Sequence, residues 1–501
     1  MFLVIKRFRV VFSLILLSGF IWYFGAVRVQ VEQGLSLLLH TQFVPALLSS
    51  LGASLLVLVA ILLLTLLFGR LNCSLLCPLG VFQDVVIRIS NLFKTKKQRR
   101  FRYTKGVFWL RYSILTLTAL LWAVGFTWPL LLLDPYSNFG RMASSLFKPV
   151  FYACHNGLHY LWPDTYYFQS YSVGSLLGWI LPIAIFVTVV GMSAFRGRLF
   201  CNTICPVGSF MGLISKYAAF RPLIDNSGCN RCGRCSFVCK AECIDSKGQQ
   251  IDHSRCVSCF NCLIACNEKQ AVRYVFCWKR PATHPSNRRH FITSLSGLAG
   301  TVALYRFVDT KNHQVSNRQT IAPAGARSHE HLKRFCTACQ ACVAVCPTRI
   351  IQPTFRGYGL DGWMLPAINY QNGFCTYNCN RCSQVCPSLA LERVPLEEKK
   401  LIRIGKARLT LKHCIALKDQ TDCGACDEHC PTKAVHMVPF GTQGLRKPVV
   451  DDEYCIGCGG CEYICPATPK AIVVEGLPIH ERALPPVVEE QHGIEDIDFG
   501  F

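Results

Sequence analysis

The chain predicts a membrane α-helical bundle joined to small, cysteine-rich α+β modules, and three observations carry that reading. Of 501 residues 51% are hydrophobic, giving a mean hydropathy of +0.28, which is too apolar for an ordinary soluble protein. Four segments are apolar over a length suited to crossing a bilayer, which takes roughly 20 residues. The 31 cysteines fall mostly in short runs with metal-ligand spacing rather than in the scattered pattern of a disulfide scaffold.

The apolar segments run from about Val10 to Val27, Pro45 to Phe68, Val107 to Leu133 and Gly174 to Phe195. Basic residues precede the first (Lys6, Arg7, Arg9), fill the connection between the second and third (Arg88, Lys94, Lys96, Lys97, Arg99, Arg100, Arg102, Lys105) and follow the fourth (Arg196, Arg198, Lys216). The positive-inside bias puts these segments in the cytoplasm and the loops Arg28 to Val44 and Asp134 to Val173 outside. The net charge of +23 is therefore read as membrane topology, since no nucleic-acid-binding motif accompanies it.

A repeat lies inside this unit. Phe68-Gly69-Arg70-Leu71-Asn72-Cys73-Ser74-Leu75-Leu76-Cys77-Pro78-Leu79-Gly80 echoes Arg196-Gly197-Arg198-Leu199-Phe200-Cys201-Asn202-Thr203-Ile204-Cys205-Pro206-Val207-Gly208. Each copy follows an even-numbered span. A pseudo-twofold arrangement of the halves brings Cys73, Cys77, Cys201 and Cys205 together as an additional redox site; a dithiol pair or plain Cys-Pro turns are the alternatives. This unit is residues 1–220.

Residues 221–280 hold Cys229-x2-Cys232-x2-Cys235-x3-Cys239 and Cys256-x2-Cys259-x2-Cys262-x3-Cys266, the spacing of two-cluster 4Fe-4S proteins. In that pattern the fourth cysteine of each run serves the other cluster, so Cys266 completes the first set and Cys239 the second. Lys240 and Asn267 stand where proline is usual, and Cys243 competes as a fourth ligand. Residues 331–480 hold four more runs: Cys336, Cys339, Cys342, Cys346; Cys375, Cys379, Cys382, Cys386; Cys414, Cys423, Cys426, Cys430; and Cys455, Cys458, Cys461, Cys465, each closed by Cys-Pro. Triplets with a Cys-Pro point to cubane clusters, whereas structural zinc usually takes cysteines in pairs. Six 4Fe-4S clusters are expected, held in α+β ferredoxin-like polyferredoxin domains, and the Cys-x3-Cys-Pro pairs are a candidate for a seventh. Fourth ligands among the last four runs exchange either between neighbours or between outer and inner pairs. Cys154 and Cys277 fall outside any spacing pattern and are read as unliganded thiols.

Between these modules, residues 281–330 contain Ser286-Asn287-Arg288-Arg289-His290-Phe291-Ile292-Thr293 and a short apolar run, Phe291 to Leu304. This segment resembles a twin-arginine export signal, which places the last module in the periplasm. The run is a candidate fifth anchor, and Ala324-Gly325-Ala326 a candidate cleavage site. Asp309 to Ser328 reads as a linker, and residues 481–501 as an acidic, poorly ordered tail. The chain has no Cys-x-x-Cys-His haem motif, Walker loop or dinucleotide fingerprint.

The four-helix unit with paired Cys-x3-Cys-Pro motifs and a following two-cluster module resembles the NapH/MauN family over about residues 1–280. The twin-arginine-like segment and the last four runs, with their x3 and x8 spacings, resemble the ferredoxin-type NapG/MauM family, so the chain looks like a fusion of the two. The resemblance implies a quinol dehydrogenase component of a bacterial inner membrane. It would relay electrons from the quinol pool to a periplasmic reductase or cytochrome, of the nitrate reductase type. Supply or maturation of another periplasmic metalloenzyme, such as nitrous oxide reductase or methylamine dehydrogenase, is the alternative. Glu32, His40, Asp134, His155 and His159, in or near the external loops, are candidate proton acceptors at a quinol site.

Overall fold

The structure is a computed structural model and describes residues 2–26, 38–49, 53–168, 176–266, 271–277, 320–359, 362–441 and 444–486. The twin-arginine-like segment, the run Phe291 to Leu304, Glu32 and the acidic tail beyond 486 lie outside the described residues.

Four apolar helices form the bundle: Phe2–Gly25, Ala53–Phe68, Phe108–Ala123 and Leu176–Arg196. Gly178–Arg196 is long and apolar enough to cross a membrane; Ala53–Phe68 and Phe108–Ala123 are shorter. Of the second expected span the described parts are the helices Phe43–Ser49 and Ala53–Phe68; the third span stops where Gly125 turns the backbone at φ +101, before a new helix at Trp128–Leu133. Pro129 and Pro135 start new helices because proline suits a first turn and not an interior. The chain then folds through Pro135–Met142, a π-helical turn at Ala143–Phe147 and Lys148–Leu161. Helices Pro78–Leu92 and Pro206–Ser215 open directly after the two Cys-Pro turns.

The cysteine-rich modules are built on two-stranded antiparallel sheets. Phe220–Ile224 pairs with Val272–Phe276, closing the Cys229–Cys266 module at its base. In the last module Ile351–Thr354 pairs with Leu365–Ile368, and Val435–Phe440 with Leu445–Val450. The long pair Ile402–Leu409 with Ile472–Arg482 frames the third and fourth cysteine runs. Residues 320–328, read in the sequence as the end of a linker, belong to this module. Ile321 bridges to Ile368, and Ala322, Ala324 and Ala326 are buried. Small side chains here let the strand pack against the sheet, a role that composition alone does not separate from a linker. The Ala324-Gly325-Ala326 candidate cleavage site is thus enclosed in the folded module, where the Gly325 carbonyl accepts from the Glu392 amide at 2.9 Å.

Helix Phe2–Gly25 touches both modules. Phe2 at its start packs against the core of the Cys229–Cys266 module, and Tyr23 near its end lies beside the Cys336 run. At 1.5 Å per residue this helix separates the modules by roughly 35 Å.

Candidate iron–sulfur sites and the route between them

The two Cys-x3-Cys-Pro turns face one another through a reciprocal exchange of arginines. Arg70, in the first repeat, donates to the Cys201 carbonyl at 3.0 Å and to Asn202 Oδ1 at 2.8 Å; Arg198, in the second, donates to the Cys73 carbonyl at 2.8 Å. Each contact crosses closely over a glycine of the opposite copy. A Cβ on Gly80 would stand 2.2 Å from the Cys73 carbonyl oxygen, and one on Gly208 2.4 Å from that of Cys201. Cys73, Cys77, Cys201 and Cys205 thereby converge, with Cys73, Cys201 and Cys205 buried. Burial pushes the Cys77, Cys201 and Cys205 thiols up, neighbouring thiols add to this, and Arg198 works against it at Cys77 and Cys201.

The charges around this site are unequal. Arg198 is paired with Asp84 at 2.9 Å, and Lys240 reaches the same carboxylate at 3.1 Å. Arg70 is fully buried, makes none of the ion pairs seen among the described residues, and leaves its Nε without a hydrogen-bond partner. A buried guanidinium without a carboxylate is expensive unless an anion lies nearby. A cluster held by four thiolates is net anionic, so the donor set, the cradle and the unpaired charge all fit a 4Fe-4S group.

The Cys229–Cys266 module docks on this site. Arg70 also donates to the Ser254 carbonyl at 3.2 Å, Asn202 to the Ala241 carbonyl at 3.2 Å, and the Arg198 amide to the Lys240 carbonyl at 2.9 Å. Cys229, Cys232, Cys235 and Cys266 form one set, so Cys266 stands where the spacing expects it. Cys256, Cys259 and Cys262 line a cavity with both Cys239 and Cys243, whose sulfurs are 3.5 Å apart. Contact between the two sulfurs holds the Cys239 thiol below the ordinary thiol range and, with burial, pushes Cys243 above it.

The last module resolves the pairing that sequence leaves open. Cys336, Cys339, Cys342 and Cys386 line one cavity; Cys346, Cys375, Cys379 and Cys382 line another. Cys430 joins Cys455, Cys458 and Cys461, while Cys414 gathers with Cys423 and Cys426, which leaves Cys465 to complete the latter by the same exchange. Exchange therefore runs between neighbouring runs. The order in space is not the order in sequence: the first set neighbours the second through Cys342 and Cys382, and the second neighbours the fourth through Cys375 and Cys458. Among the described residues no three His, Cys, Asp or Glu side chains converge tightly enough for a single metal ion. Zinc needs all its thiolates about 2.3 Å from one centre, whereas a cubane spreads them over four irons.

The first of these sets is seated on the bundle. Arg141 Nε donates to the Ala338 carbonyl at 3.1 Å, Lys148 Nζ to that of Ala344 at 2.7 Å, and Thr127 to that of Lys333 at 2.9 Å; Ser144 bonds Gln340. Gly140 lies so close to the Cys339 carbonyl that a Cβ would come within 2.3 Å of it. Aromatic rings, buried apart from the half-buried Phe82, fill the space between this set and the Cys-x3-Cys-Pro turns. Phe82, five residues beyond Cys77, lies 6.4 Å from Phe139, Phe139 6.2 Å from Phe20, and Phe20 6.3 Å from Tyr136, whose hydroxyl is beside Cys339. Sequence reading misses this seam, because single aromatics in apolar helices carry no spacing signal.

The other candidates are dispersed. His40 contacts Arg393 at 2.9 Å; Asp134 caps Pro135–Met142, accepting from the Ser137 amide at 2.7 Å. His155 packs edge-on to Tyr166, and His159 bonds the Tyr166 carbonyl. The structure brings His155 and His159 together at one loop, and leaves His40 and Asp134 in separate structural roles. Cys154 is exposed, and Cys277 accepts from Arg221 at 3.4 Å.

A 4Fe-4S binding domain profile matches residues 51–100 and 179–224, which contain the two Cys-x3-Cys-Pro repeats, and a 4Fe-4S dicluster domain profile matches residues 421–468. The ferredoxin-type protein NapF of Escherichia coli K12 is 28% identical over 160 residues, 32% of this chain and 87% of that protein. NapG of the same strain is 27% identical over 217 residues, 41% of this chain and 92% of that protein. The methylamine utilization ferredoxin-type protein MauM of Methylobacillus flagellatus is 25% identical over 203 residues, covering 38% and 83%. No solved structure matches the chain. The chain carries 4Fe-4S binding domains and is related to ferredoxin-type proteins of the Nap and Mau systems.

Proposed function

We propose that this chain is a membrane-bound quinol dehydrogenase that relays electrons from quinol to a periplasmic reductase, as a natural fusion of NapH-like and NapG-like parts. The observation that carries the reading is the placement of thiol sets at both ends of one helix bundle. Helix Phe2–Gly25 spans roughly 35 Å between the modules, close to the thickness of a bilayer's hydrocarbon core at about 30 Å. Exposed apolar side chains on this helix and its neighbours, such as Phe8, Ile15, Leu56, Leu63, Trp109, Ile183 and Val187, form the surface a lipid phase would cover. In this reading residues 1–220 are the inner-membrane unit, 221–280 face the cytoplasm and the last module faces the periplasm.

When filled, 4Fe-4S clusters take up and release one electron each, which splits the two-electron chemistry of quinol into single steps. Seven sets of four thiols would hold them, counting Cys73, Cys77, Cys201 and Cys205. The residues around them fix position: Arg70 and Arg198 hold the membrane set, and Arg141, Lys148 and Thr127 seat the Cys336–Cys386 set on the bundle. Exchange between neighbouring runs makes each pair of sets one folding unit. The Cys414 set lies farthest along the series from the bundle and is the exit toward the acceptor. His155 and His159, on the helix Lys148–Leu161 whose first residue holds the Ala344 carbonyl, are the candidates to take quinol protons.

The test is reduction of the anaerobically purified protein by a menaquinol or ubiquinol analogue, followed by low-temperature EPR. Cluster signals that appear with quinol support the assignment. Reduction by dithionite alone would transfer the reading to a donor or maturation role for another metalloenzyme.

A further inference from the structure

The Cys336, Cys339, Cys342 and Cys386 thiols belong to the last module, yet part of their surroundings is contributed by the bundle. Tyr23, near the end of helix Phe2–Gly25, stands beside Cys339, Cys342 and Cys386. Tyr136 and Arg141, on helix Pro135–Met142, stand beside Cys339, and Arg141 is also near Cys336. All three side chains are buried, Arg141 completely. Thr337, from the module itself, is buried next to Cys339.

What these groups lack is an acceptor. The Tyr23 and Tyr136 hydroxyls, Thr337 Oγ1 and Arg141 Nη2 have no hydrogen-bond partner among the described residues. Arg141 donates its other nitrogens to the Ala338 carbonyl at 3.1 Å and Asn138 Oδ1 at 3.2 Å, while Asp134, at the start of the same helix, accepts from the Ser137 amide and hydroxyl. A third tyrosine gives the contrast. Tyr358 also borders this set, beside Cys336 and Cys342, but its hydroxyl donates to the Pro366 carbonyl at 2.8 Å. Buried donors left open around one set of thiols are costly unless something among those thiols accepts from them. A thiolate-held cluster is anionic and presents sulfur lone pairs, and an added electron makes it a stronger acceptor. Hydrogen bonds to its sulfurs therefore favour the reduced form.

We propose that Tyr23, Tyr136, Thr337 and Arg141 donate into the cluster held by Cys336, Cys339, Cys342 and Cys386 and raise its reduction potential, so that the bundle tunes the set seated on it. Three of the four donors lie outside the module that supplies the thiols, which ties electron uptake at this set to its seating. The cluster gains one electron from a one-electron reductant; no bond or proton is exchanged. The four side chains are positioning residues and none of them ligates iron. The inference rests on the iron–sulfur reading of this set and not on quinol as donor.

The experiment is a mediated redox titration of the full, cluster-loaded chain, with dithionite as reductant and EPR as readout. The signal of this set is the one missing from Cys386→Ser, which should lose about four irons. Tyr23→Phe and Tyr136→Phe, made singly and together, remove only the hydroxyls. The double variant should keep its iron and lower the equilibrium constant for reduction of this cluster by about tenfold, a fall of about 59 mV for one electron. Each single variant should shift it in the same direction by less, and the other midpoints should stay in place. Tyr358→Phe removes a hydroxyl from the same surroundings that is already committed to a carbonyl, and should leave the midpoint unmoved. An unchanged midpoint in the double variant, or an equal shift with Tyr358→Phe, would overturn the proposal. Loss of four irons from both single variants would overturn it too, because a tuning donor is not a ligand. Quinol takes no part in this titration, so failure of quinol to reduce the chain refutes the dehydrogenase reading and leaves the tuning standing.

Discussion

The Cys375 amide donates to the Cys458 carbonyl at 2.9 Å, joining the second cysteine run of the last module to the fourth across 83 residues of sequence. This bond makes the spatial series first, second, fourth, third. It follows from the exchange of fourth ligands, which ties runs in pairs and leaves the pairs to meet at one edge.

The pairing has a direct test by double substitution. Cys336→Ser and Cys386→Ser should each remove the same cluster, so the double variant should lose about four irons, no more than either single one. Cys375→Ser combined with Cys386→Ser should lose about eight, because these residues serve different sets. Iron analysis with EPR of the reduced protein distinguishes these outcomes from pairing within each run.

At the membrane set the two glycines are predicted to behave alike. Gly80→Ala and Gly208→Ala each drive a methyl into the cysteine carbonyl of their own turn, at 2.2 and 2.4 Å, and against the opposite turn's arginine at 2.8 Å, and the backbone there cannot yield cheaply. Both should lose the cluster at Cys73, Cys77, Cys201 and Cys205 and keep the others. Gly191→Ala, where a Cβ meets nothing within 4 Å, is the control and should retain full iron.

Asp84 offers a stability prediction. Its carboxylate holds the buried Arg198 and is itself held well below the usual carboxylate range by Arg198 and Lys240, against the cost of burial. Asp84→Ala leaves Arg198 unpaired and should cost about 3 to 5 kcal/mol, read as a lowered unfolding midpoint in detergent. Replacing the exposed Glu397, paired with Lys400, should change it by less than about 1 kcal/mol.

The last module should weaken in mild acid. Burial pushes His480 down to about 4 and also lowers His329, whose proximity adds to the effect at His480. An unfolded histidine titrates near 6.5, so between pH 6.5 and 4 the unfolded chain binds the extra proton. Stability is therefore full above pH 6.5, falls as pH drops through this window and levels off below it. His480→Gln should flatten that part of the profile in thermal melts across pH.

Much of this organisation was legible in the chain. The cysteine runs announce their cofactor because three closely spaced thiolates are a local property, and the Cys-x3-Cys-Pro repeat announces a pair because both copies keep Arg, Cys, Pro and Gly in step. Cys266 stands in the set its spacing assigns. What lay beyond reach was long-range. Nothing local tells Cys430 to join Cys455 rather than an outer partner, or aligns Phe82, Phe139, Phe20 and Tyr136 from three segments. The third span reads too long in the sequence because apolar composition continues through Gly125 and Pro129, and hydropathy does not register a turn. The burial of Ala322, Ala324 and Ala326 was hidden for the opposite reason: small residues look like linker until a sheet covers them.

The central claim is a continuous relay beginning with quinol, and the most direct measurement is EPR of the anaerobic protein after quinol addition, with iron counted on the same sample. The account predicts about 28 irons per chain, four for each of seven sets, and cluster signals that develop with quinol alone. Clusters that dithionite reduces and quinol leaves oxidised would contradict it.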